Sequence, residues 1–427
     1  MNQTIFFCLR SFSLSNLAIA ASLSLTLLMP EATKPAHAAL EDSPKVVLDE
    51  AWQIVNQHYV DSTFNQVSWQ QVREDLLDTN YTSKQEAYDA LRQALALLED
   101  PYTRFLDPKQ FEDLTNQTAG ELSGVGIRME RPANTRLLKV VDVLDNSPAS
   151  RAGIQAGDRI LEIDGIPTSN LEPSEAAERI RGTVGTAVTL KLERGAQGGM
   201  EITLMRERIE LASVLYELKQ ESDHRIGYIK LVEFSSHAGE QMERAIKALQ
   251  EEEVDAFVLD LRGNPGGLLN ISIDIARMWL ENGAIVRTVD RDGKDENIAA
   301  NYTSLTDLPL AVLVDGGSAS ASEILAGALK DNKRATIIGE QTFGKALVQS
   351  VHSLSDGSGL VVTVAHYYTP DGTDISQRGI TPQIPVNLTA AQERLLQANP
   401  ALVGTQHDPP YRSAIALLLG AVPLAAN

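Results

Sequence analysis

Residues 308–331 read "LPLAVLVDGGSASASEILAGALKD" and contain the three parts of a strand–turn–helix unit. An apolar run of strand length comes first, then a turn with two adjacent glycines, and then an apolar segment that ends in Lys330 and Asp331. Similar apolar runs, such as "RIGYIKLVEF" and "AFVLDLRGNPGG", alternate with amphipathic helical segments across residues 226–388. Buried strands that alternate with helices are typical of α/β domains with a largely parallel sheet. We therefore predict an α/β fold for this part of the chain.

The turns that follow the buried strands are where such a domain places its functional groups. The segment "DLRGNPGG", residues 260–267, supplies backbone amides around Gly266 and Gly267, and amides of this kind can stabilise a negatively charged oxygen. The segment "SASASE" supplies serines at the start of a helix. Two simpler interpretations stay open at this point. "NPGG" also suits a tight turn, and Ser320 with Glu323 also fits a helix-capping box.

A serine nucleophile needs a group that takes its proton. The three histidines of the α/β region, His237, His352 and His366, lie in neither a predicted strand-to-helix turn nor a glycine-rich loop. A lysine kept neutral by burial is the other partner that can activate a serine. Lys345 follows a glycine in "GEQTFGKALVQSV", at the predicted start of a strand, and side-chain alternation would place Gln349 on the same face. A surface lysine on an edge strand is the alternative interpretation.

Two regions precede the α/β segment and one follows it. Residues 41–110 have apolar positions at helical spacing, which predicts helices. Residues 120–208 combine short alternating strands, an Asp-Gly turn and two helices, which predicts a small, partly open barrel. After residue 388 the chain contains an apolar run that is shorter than a membrane span, and this run fits either a docked helix or a frayed end.

The first 38 residues have the pattern of a cleaved secretory signal. An uncharged apolar run at residues 17–29 is followed by Ala36, His37 and Ala38, which form a small-x-small cleavage sequence. An uncleaved membrane anchor is the alternative. The single cysteine, Cys8, lies inside this segment, so cleavage after Ala38 leaves a mature chain without disulfides or cysteine metal ligands. We therefore predict an extracytoplasmic protein.

The charge balance argues against two classes of partner. The formal net charge is −20 and the sequence pI is about 4.8. A surface this acidic repels nucleic acid and the headgroups of anionic lipids. We therefore predict no nucleic-acid partner and no attachment to a membrane by charge.

Five segments resemble the recurring motifs of the carboxyl-terminal processing (tail-specific) serine peptidases, in that family's order and at similar separations. They fall within residues 41–388 and read "EDPYTRFLDP", "DLRGNPGG", "GSASASEILAGALKD", "GEQTFGKALVQ" and "YYTPDGTDISQRGITP". "LDEAWQIVNQHYVD" and "LSDGSGLVVTVAHYYTP" most resemble the photosynthetic subgroup, which trims the precursor of the photosystem II reaction-centre protein. The resemblance implies a catalytic α/β domain of the ClpP/crotonase-like type.

The resemblance also assigns catalytic roles, position by position. The nucleophile corresponds to Ser320, the general base to Lys345, and the residue that orients the lysine to Gln349. This chemistry is acyl transfer through a covalent serine ester, and it needs neither a metal nor an organic cofactor.

The oxyanion hole implied by the resemblance combines two backbone amides. One is the amide of Ala321, directly after the nucleophile, and the other is a glycine amide of "NPGG", for which Gly266 and Gly267 both remain candidates. The family commonly has an asparagine pair and three glycines where this chain has "RGNPGG". The sequence therefore departs from the family in the hole itself.

The small domain resembles the PDZ domain of the same family in "SPASRAGIQAGDRILEIDG", residues 147–165. A PDZ domain binds a free chain end as an added strand and holds its carboxylate with loop amides. The segment "SGVGI" resembles that loop, and the amides would come from Gly124, Val125, Gly126 and Ile127. A plain glycine turn is the alternative.

The whole resemblance implies an extracytoplasmic serine endopeptidase, in the periplasm or the thylakoid lumen, that cleaves near the C-terminus of protein substrates. The expected substrate is the precursor of the photosystem II reaction-centre protein, and a monomer that approaches the membrane only through its substrate is expected. A general periplasmic tail-specific protease and a non-enzymatic PDZ scaffold are the alternatives. The predicted regions are a signal peptide 1–38, an N-terminal helical region 39–118, an inserted PDZ domain 119–208, a catalytic domain 209–388 and a tail 389–427.

Overall fold

The computed structural model describes residues 43–132, 135–195 and 197–420. The predicted signal peptide, residues 1–38, and the last part of the tail, residues 421–427, lie outside the described residues. No helix within the described part of the chain is long and apolar enough to cross a membrane.

The described α-helices are α1 (Pro44–His58), α2 (Trp69–Asp78), α3 (Lys84–Ala96), α4 (Pro108–Ala119), α5 (Pro148–Arg151), α6 (Pro173–Ile180), α7 (Ala238–Glu251), α8 (Leu269–Trp279), α9 (Ala321–Asp331), α10 (Ala390–Ala398) and α11 (Pro409–Leu418). Short 3-10 helices lie at Phe64–Gln66, Thr168–Asn170 and Pro400–Leu402. The first strands are β1 (Arg104–Leu106), β2 (Glu121–Gly124), β3 (Ile127–Glu130), β4 (Leu138–Val143), β5 (Arg159–Ile163), β6 (Ile166–Pro167), β7 (Ala187–Arg194), β8 (Gln197–Met205) and β9 (Glu207–Glu210). The later strands are β10 (Val214–Glu221), β11 (His224–Leu231), β12 (Ala256–Asp260), β13 (Ala284–Asp290), β14 (Asp295–Ala299), β15 (Leu310–Val314), β16 (Thr336–Gly339), β17 (Leu347–Ser353), β18 (Gly359–Tyr368) and β19 (Ile384–Pro385).

The predicted α/β fold is confirmed, and its main sheet is largely parallel. The strand order is β10–β11–β12–β15–β16–β19, and the β10–β11 pair is antiparallel while the other pairs are parallel. Every residue of β12 and β15 is buried, which explains why both strands are apolar apart from Asp260 at the end of β12. Helices α7, α8 and α9 pack on one face, where the rings of Phe257 and Trp279 lie 5.3 Å apart between centroids. Because β12 and β15 are adjacent and parallel, the loops that follow them are neighbours.

The opposite face of the parallel sheet is covered by α11. Tyr411, Ala414 and Ile415 are buried there against the strand residues that point away from α7, α8 and α9. The sequence left two interpretations of the apolar run in the tail, a docked helix and a frayed end. As far as residue 420, the docked helix is the one that the structure shows.

A second sheet is antiparallel and carries the segment "KALVQSVHSL". Its central strand, β18, pairs with β17 on one side and with β1 and β13 on the other, and β14 extends the sheet beyond β13. The sequence pattern predicts a strand in this segment but does not show which sheet it joins. Helices α1, α2 and α3 pack against this second sheet around a core that includes Leu360 and Val362.

The small domain is built from short antiparallel strands, in the order β3–β4–β5–β7–β8, with β6 paired to β5. Its core includes Leu138, Ile160 and Leu190, which have no exposed surface, and α6 packs on this core. Strands β2 and β9 pair with each other, with Leu122 opposite Ile209. The chain therefore enters and leaves the domain at one place, as expected for an inserted domain.

A buried ion-pair network joins the C-terminal segment to the loop after β12. Arg262 donates to both carboxylate oxygens of Asp260, at 2.9 and 2.6 Å, and to both of Asp408, at 2.8 Å each. The Tyr228 hydroxyl also donates to Asp260, at 2.6 Å. Burial raises the pKa of Asp260, but the charge and hydrogen bonds of Arg262, together with Lys230 and the Tyr228 hydroxyl, hold that pKa below its usual range.

Replacing Asp408 by Asn is expected to lower the free energy of unfolding by roughly 3 kcal/mol, because Arg262 keeps its buried charge and loses one carboxylate. Chemical denaturation near pH 7 measures the change. D295N is the matched control, since Asp295 pairs with Arg287 on the exposed surface, where solvent screens the interaction and its loss changes stability little. Equal losses in the two variants would contradict the prediction. Because the pKa of Asp260 is lowered, its stabilisation is complete above about pH 4 and is lost as the pH falls further.

Candidate active site

The loop between β15 and α9 and the first turn of α9 together contain three serines whose hydroxyls differ in their bonding. The Ser318 hydroxyl donates to the carbonyl oxygen of Leu261 at 2.8 Å, and the Ser322 hydroxyl donates to the carbonyl oxygen of Asn264 at 2.9 Å. Both side chains are completely buried. The Ser320 hydroxyl has no hydrogen-bond partner among the described residues. Ser320 is therefore the serine of this loop whose hydroxyl is available for chemistry.

The backbone of Ser320 is held in an unusual conformation. Its φ of 54° and ψ of −114° lie in a region that residues other than glycine rarely adopt. The Ser320 N–H donates to the Glu323 carboxylate at 2.9 Å, and the Glu323 N–H donates to the Ser320 carbonyl oxygen at 2.8 Å. Ser320 and Glu323 are thus arranged as in the capping box expected from the sequence, but the Ser320 hydroxyl itself makes no hydrogen bond to the helix start. The turn places Ser320 at the edge of a cavity that Lys345 and Gln349 also border.

Gly266 lies directly against this turn. A Cβ atom at Gly266 would lie 2.8 Å from the carbonyl oxygen of Ala319 and 2.9 Å from the Cβ of Ser320, so the close approach requires glycine. Its φ of 107° and the φ of 140° at Gly267 also fall in the range that favours glycine. The tight turn and the glycine loop beside Ser320, which the sequence left as two alternatives, are therefore one structure.

The backbone N–H groups around the turn are not equally available. The Gly266 N–H donates to the side-chain oxygen of Asn264 at 2.8 Å. The N–H groups of Gly267 and of Ala321, the first residue of α9, donate to no acceptor within the described residues. Two free amides beside a serine can stabilise an oxyanion. Because Ala321 is the first residue of α9, the positive end of the helix dipole strengthens the stabilisation by its N–H. The two glycines, which the sequence left as equal candidates for the oxyanion hole, therefore differ: the Gly267 N–H is free and the Gly266 N–H is already bonded.

Lys345 enters the same cavity, of about 250 Å³, from the loop before β17. Its Nζ lies 4.6 Å from the centroid of the Tyr102 ring and makes no hydrogen bond to a side chain of the described residues. Burial lowers the pKa of Lys345 and the Arg104 charge lowers it further, whereas Asp100 and Glu323 oppose the shift. A lysine with a lowered pKa has a larger neutral fraction and is a better proton acceptor near neutral pH.

The strand that follows Lys345 differs from the sequence prediction. β17 begins only at Leu347, because the Lys345 N–H donates to the Glu323 carboxylate at 3.0 Å. Its register with β18 shifts between Val348 and Gln349, so simple alternation does not relate the lysine to the glutamine. Both still border the cavity, and the Gln349 side-chain nitrogen is buried without a hydrogen-bond partner in the described part of the chain.

Glu323 does more than cap α9. One carboxylate oxygen accepts from the Thr342 hydroxyl at 2.5 Å and from the Gly344 N–H at 2.7 Å, and the other accepts from the N–H groups of Ser320 and Lys345. The side chain has no exposed surface. A single buried carboxylate therefore fixes the loops that carry the serine and the lysine. The sequence identified Glu323 only as a capping residue, since no local pattern shows which distant amides it accepts.

Two further buried side chains support the site. The Asn264 side-chain nitrogen donates to the carbonyl oxygen of Leu231 at 2.9 Å, which fixes the glycine loop to the end of β11. The Tyr367 hydroxyl donates to the carbonyl oxygen of Ser320 at 3.2 Å and also to that of Lys345. The sequence placed Tyr367 in a recurring segment but gave no sign of these contacts.

Replacing Glu323 by Gln is expected to lower kcat by at least about tenfold and the free energy of unfolding by roughly 2 kcal/mol, because an amide offers one acceptor oxygen and directs its NH₂ group at a buried N–H donor. Steady-state kinetics and denaturation curves measure the two effects. Q392A is the control, because Gln392 forms the exposed capping box of α10 and should change stability alone. Wild-type kcat in E323Q would contradict the positioning role.

The histidines of the α/β region do not border the cavity. His237 directly precedes α7, contrary to the prediction that it lies outside a strand-to-helix connection, and its ring nitrogen lies 3.2 Å from Glu121. His352 stacks on His58 with 5.4 Å between ring centroids and lies 2.7 Å from the Ser350 hydroxyl. Within residues 43–132, 135–195 and 197–420, no group of three or more His, Cys, Asp or Glu residues is placed to hold a metal ion.

The proposed carboxylate loop of the small domain joins β2 to β3 and comprises Gly124, Val125, Gly126 and Ile127. Val125 packs in the domain core, and a Cβ atom at Gly126, where φ is 80°, would lie 2.2 Å from the Cβ of Ser147. The N–H groups of Val125 and Gly126 donate to no acceptor among the described residues. The loop therefore presents two free amides.

Comparison with protein families divides the chain in the same way. Residues 225–386 match peptidase family S41, and residues 139–194 match the PDZ domain. The first match includes Ser320 and Lys345, and the second begins after the glycine loop at residues 124–127.

Individual relatives extend the match to nearly the whole chain. The carboxyl-terminal-processing protease of Synechocystis sp. is 43% identical over 410 residues, which cover 96% of this chain and 94% of that protein. The chloroplastic carboxyl-terminal-processing peptidase 2 of Arabidopsis thaliana is 43% identical over 349 residues, 79% of this chain and 68% of that protein. The solved photosystem II D1 C-terminal processing protease superposes with a TM-score of 0.53 at 35% identity, covering 81% of this chain and 93% of that chain. The chain therefore belongs to peptidase family S41, a family of serine peptidases.

Proposed function

We propose that this protein is an extracytoplasmic endopeptidase in which Ser320 is the nucleophile and Lys345 the general base. The observation that carries the proposal is the convergence of three features at one cavity. These are a serine with a free hydroxyl, the free amides of Ala321 and Gly267, and a lysine whose pKa is lowered by burial. A scaffold protein without activity would need none of the three.

The reaction follows from the position of these groups. Neutral Lys345 accepts the hydroxyl proton as the Ser320 Oγ attacks the carbonyl carbon of the substrate, and the Ala321 and Gly267 amides stabilise the oxyanion. The lysine then gives this proton to the leaving amine as the C–N bond breaks. Water then loses a proton to the lysine and attacks the serine ester, and the lysine returns this proton to the Ser320 Oγ as the acyl group leaves. Gln349 orients the lysine by accepting a hydrogen bond from its Nζ.

One movement is required before the first proton transfer. The Lys345 Nζ lies over the Tyr102 ring and makes no hydrogen bond to the Ser320 hydroxyl among the described residues, so we expect the side chain to turn toward Ser320 when substrate binds. Catalytic hydrogen bonds are often long or absent in unliganded enzymes and form in the complex. The half-buried position of the lysine supports this step, since few water molecules compete for the amine.

The proposal extends to the substrate and the compartment. The relatives are described as carboxyl-terminal-processing proteases, two of them chloroplastic or named for photosystem II D1. We propose that this protein acts as a monomer in the thylakoid lumen or periplasm, after removal of residues 1–38, and trims the photosystem II reaction-centre precursor near its C-terminus. A general tail-specific protease that degrades many proteins is the second candidate.

Analysis of the cleavage products separates these candidates. Purified protein lacking residues 1–38 is incubated with the reaction-centre precursor and with an unrelated protein that has an unfolded tail, and the products are sized by mass spectrometry. One cut near the precursor C-terminus supports processing, and extensive fragmentation of both proteins supports general degradation. No cleavage of either, with S320A as the reference, would favour the non-enzymatic PDZ scaffold.

We assign substrate recruitment to the PDZ domain, residues 119–208, and cleavage to the catalytic domain, residues 209–388. The helical region 39–118 precedes these two domains and the tail 389–427 follows them. The free amides at Val125 and Gly126 support binding of a substrate carboxylate by the glycine loop. The edge of β3 would then pair with the last residues of the substrate, as in other PDZ complexes.

Amidation of a substrate C-terminus is expected to raise KM by about tenfold or more, because the amide lacks the charge that strengthens hydrogen bonds from loop amides. Kinetics on a matched pair of acid and amide peptides measure the effect. G126A is the companion variant, since a Cβ at that position clashes with Ser147 and distorts the loop. Equal KM values for the two peptides would remove the PDZ role.

A further inference from the structure

The cavity that contains Ser320 has mostly apolar walls with a few uncharged polar side chains, and the charged side chains among its described lining residues are both cations. Its walls include Leu268, Leu269, Ile324 and Leu347, and the two cations are Arg104 and Lys345. The whole chain has a formal net charge of −20, so a cavity with positive side chains and no carboxylate differs from the average surface. In the working enzyme Lys345 is neutral, which leaves Arg104 as the fixed positive charge beside the nucleophile.

Arg104 is held in place by its backbone. It lies on β1 opposite Val361 of β18, which borders the same cavity. The next residue, Phe105, is buried and its ring centroid lies 4.6 Å from that of Tyr88. Because side chains alternate along a strand, this anchoring turns Arg104 to the opposite side, where it is exposed.

The guanidinium group of Arg104 has little to bind within the protein. Within the part of the chain that the structure describes, the Arg104 side chain makes one hydrogen bond, to the carbonyl oxygen of Tyr102. Its length of 3.4 Å is beyond the usual range. It forms no ion pair with a carboxylate among the described residues, whereas the nearby Arg92 pairs with Asp89 and Asp107. An unpaired guanidinium on a rigid strand is suited to bind a carboxylate through two parallel hydrogen bonds.

We propose that Arg104 is a specificity-determining residue that binds a carboxylate of the substrate next to the scissile bond. The proposal rests on the peptidase function proposed above and adds the class of substrate that the cavity accepts, an apolar residue close to an anionic group. That group is either the C-terminal carboxylate of the substrate or an acidic side chain. Both sources present a carboxylate to Arg104. Peptides that lack one or the other carboxylate distinguish them.

Arg104 also has a second effect that the experiment must separate. Its charge lowers the pKa of Lys345, after the larger effect of burial. Removing the charge should therefore raise that pKa and slow the enzyme at neutral pH for every substrate alike. Substrate recognition changes the ratio of rates between two substrates, while an effect through Lys345 leaves that ratio unchanged.

The test compares four peptides that carry one apolar cleavage site. The parent has an acidic residue near this site and a free C-terminus, and the others replace the acidic residue by its amide, amidate the C-terminus, or do both. Values of kcat/KM are measured for wild type, R104Q and R104K, with S320A as the blank. In wild type, one of the two carboxylates should raise kcat/KM by about tenfold or more. R104Q should bring that ratio close to one, and R104K should retain part of it.

Three outcomes overturn the proposal. An unchanged ratio in R104Q assigns the preference to another group, such as the PDZ loop. Equal slowing of all four peptides, with the pH profile displaced upward, means that Arg104 acts only through Lys345. Wild type with no preference for either carboxylate removes the recognition itself.

A measurement of peptide binding tests the Arg104 site independently of the proposed peptidase function. If wild type and S320A are equally inactive, the peptidase function fails, and the affinities of labelled peptides for S320A and for S320A/R104Q are compared by fluorescence anisotropy. Tighter binding of the carboxylate peptide by S320A alone supports the Arg104 site. Equal affinities in the two proteins overturn it.

Discussion

Replacing Ser320 by Ala is expected to reduce kcat/KM for peptide hydrolysis by roughly 10⁴-fold or more, the size of loss seen when a nucleophile is removed from a serine protease. The variant should fold normally, because the Ser320 hydroxyl has no hydrogen-bond partner among the described residues. A quenched-fluorescence peptide assay measures the loss, and a melting curve checks the fold.

S318A is the matched control for this substitution. The Ser318 hydroxyl lies two residues away and donates to a backbone carbonyl, so its removal should cost about 1 kcal/mol of stability and less than tenfold in rate. Substantial activity in S320A, or complete loss in S318A with an intact fold, would show that the wrong serine has been assigned.

Replacing Lys345 by Ala is expected to reduce kcat/KM by about 10³-fold or more, since general-base assistance and activation of the nucleophile are lost together. Lys345→Arg should be as inactive, because a guanidinium stays protonated at every accessible pH. K333R is a control for the change of residue type, as Lys333 lies in the turn after α9 and does not border the cavity. Full activity in K345R would exclude proton transfer to this residue.

The pH profile of the wild-type enzyme tests the same role without a mutation. The base must be neutral, so kcat/KM should rise with pH through the pKa of Lys345 and level off above it. Burial and the Arg104 charge lower that pKa, so the midpoint should lie below the ordinary lysine value of about 10.4. R104Q should move the midpoint upward. Activity that falls as the pH rises from 7 to 9 would contradict a lysine base.

The parallel sheet and its two functional loops could be predicted because their sequences are locally unambiguous. The segments that form β12 and β15 are apolar apart from Asp260, and each is followed by a glycine-bearing turn. The rule that parallel strands present their carboxyl ends together then brings Gly267 and Ser320 to one place. The resemblance to the tail-specific peptidases added Lys345, which spacing alone could not separate from a surface lysine.

The remaining features depend on contacts between distant segments. To predict the antiparallel pairing of β17 with β18, one must know which edge of a sheet is free. The sequence of a strand does not contain that information. The four hydrogen bonds of Glu323 reach amides up to 22 residues away. The choice of Gly267 over Gly266 rests on one hydrogen bond from Asn264. Arg104 comes from a strand more than 200 residues before Ser320, so only the folded chain brings it to the cavity.

The central claim is that a covalent intermediate forms on Ser320, and mass spectrometry of the trapped acyl-enzyme tests it most directly. The protein is mixed with a slowly deacylating ester substrate, quenched in acid and digested, and the site of the added mass is located. We predict acylation of the peptide that contains Ser320, with no adduct in S320A and a much slower adduct in K345A. Acylation of Ser350, which lies beside His352, or of any residue that persists in S320A, would contradict the account.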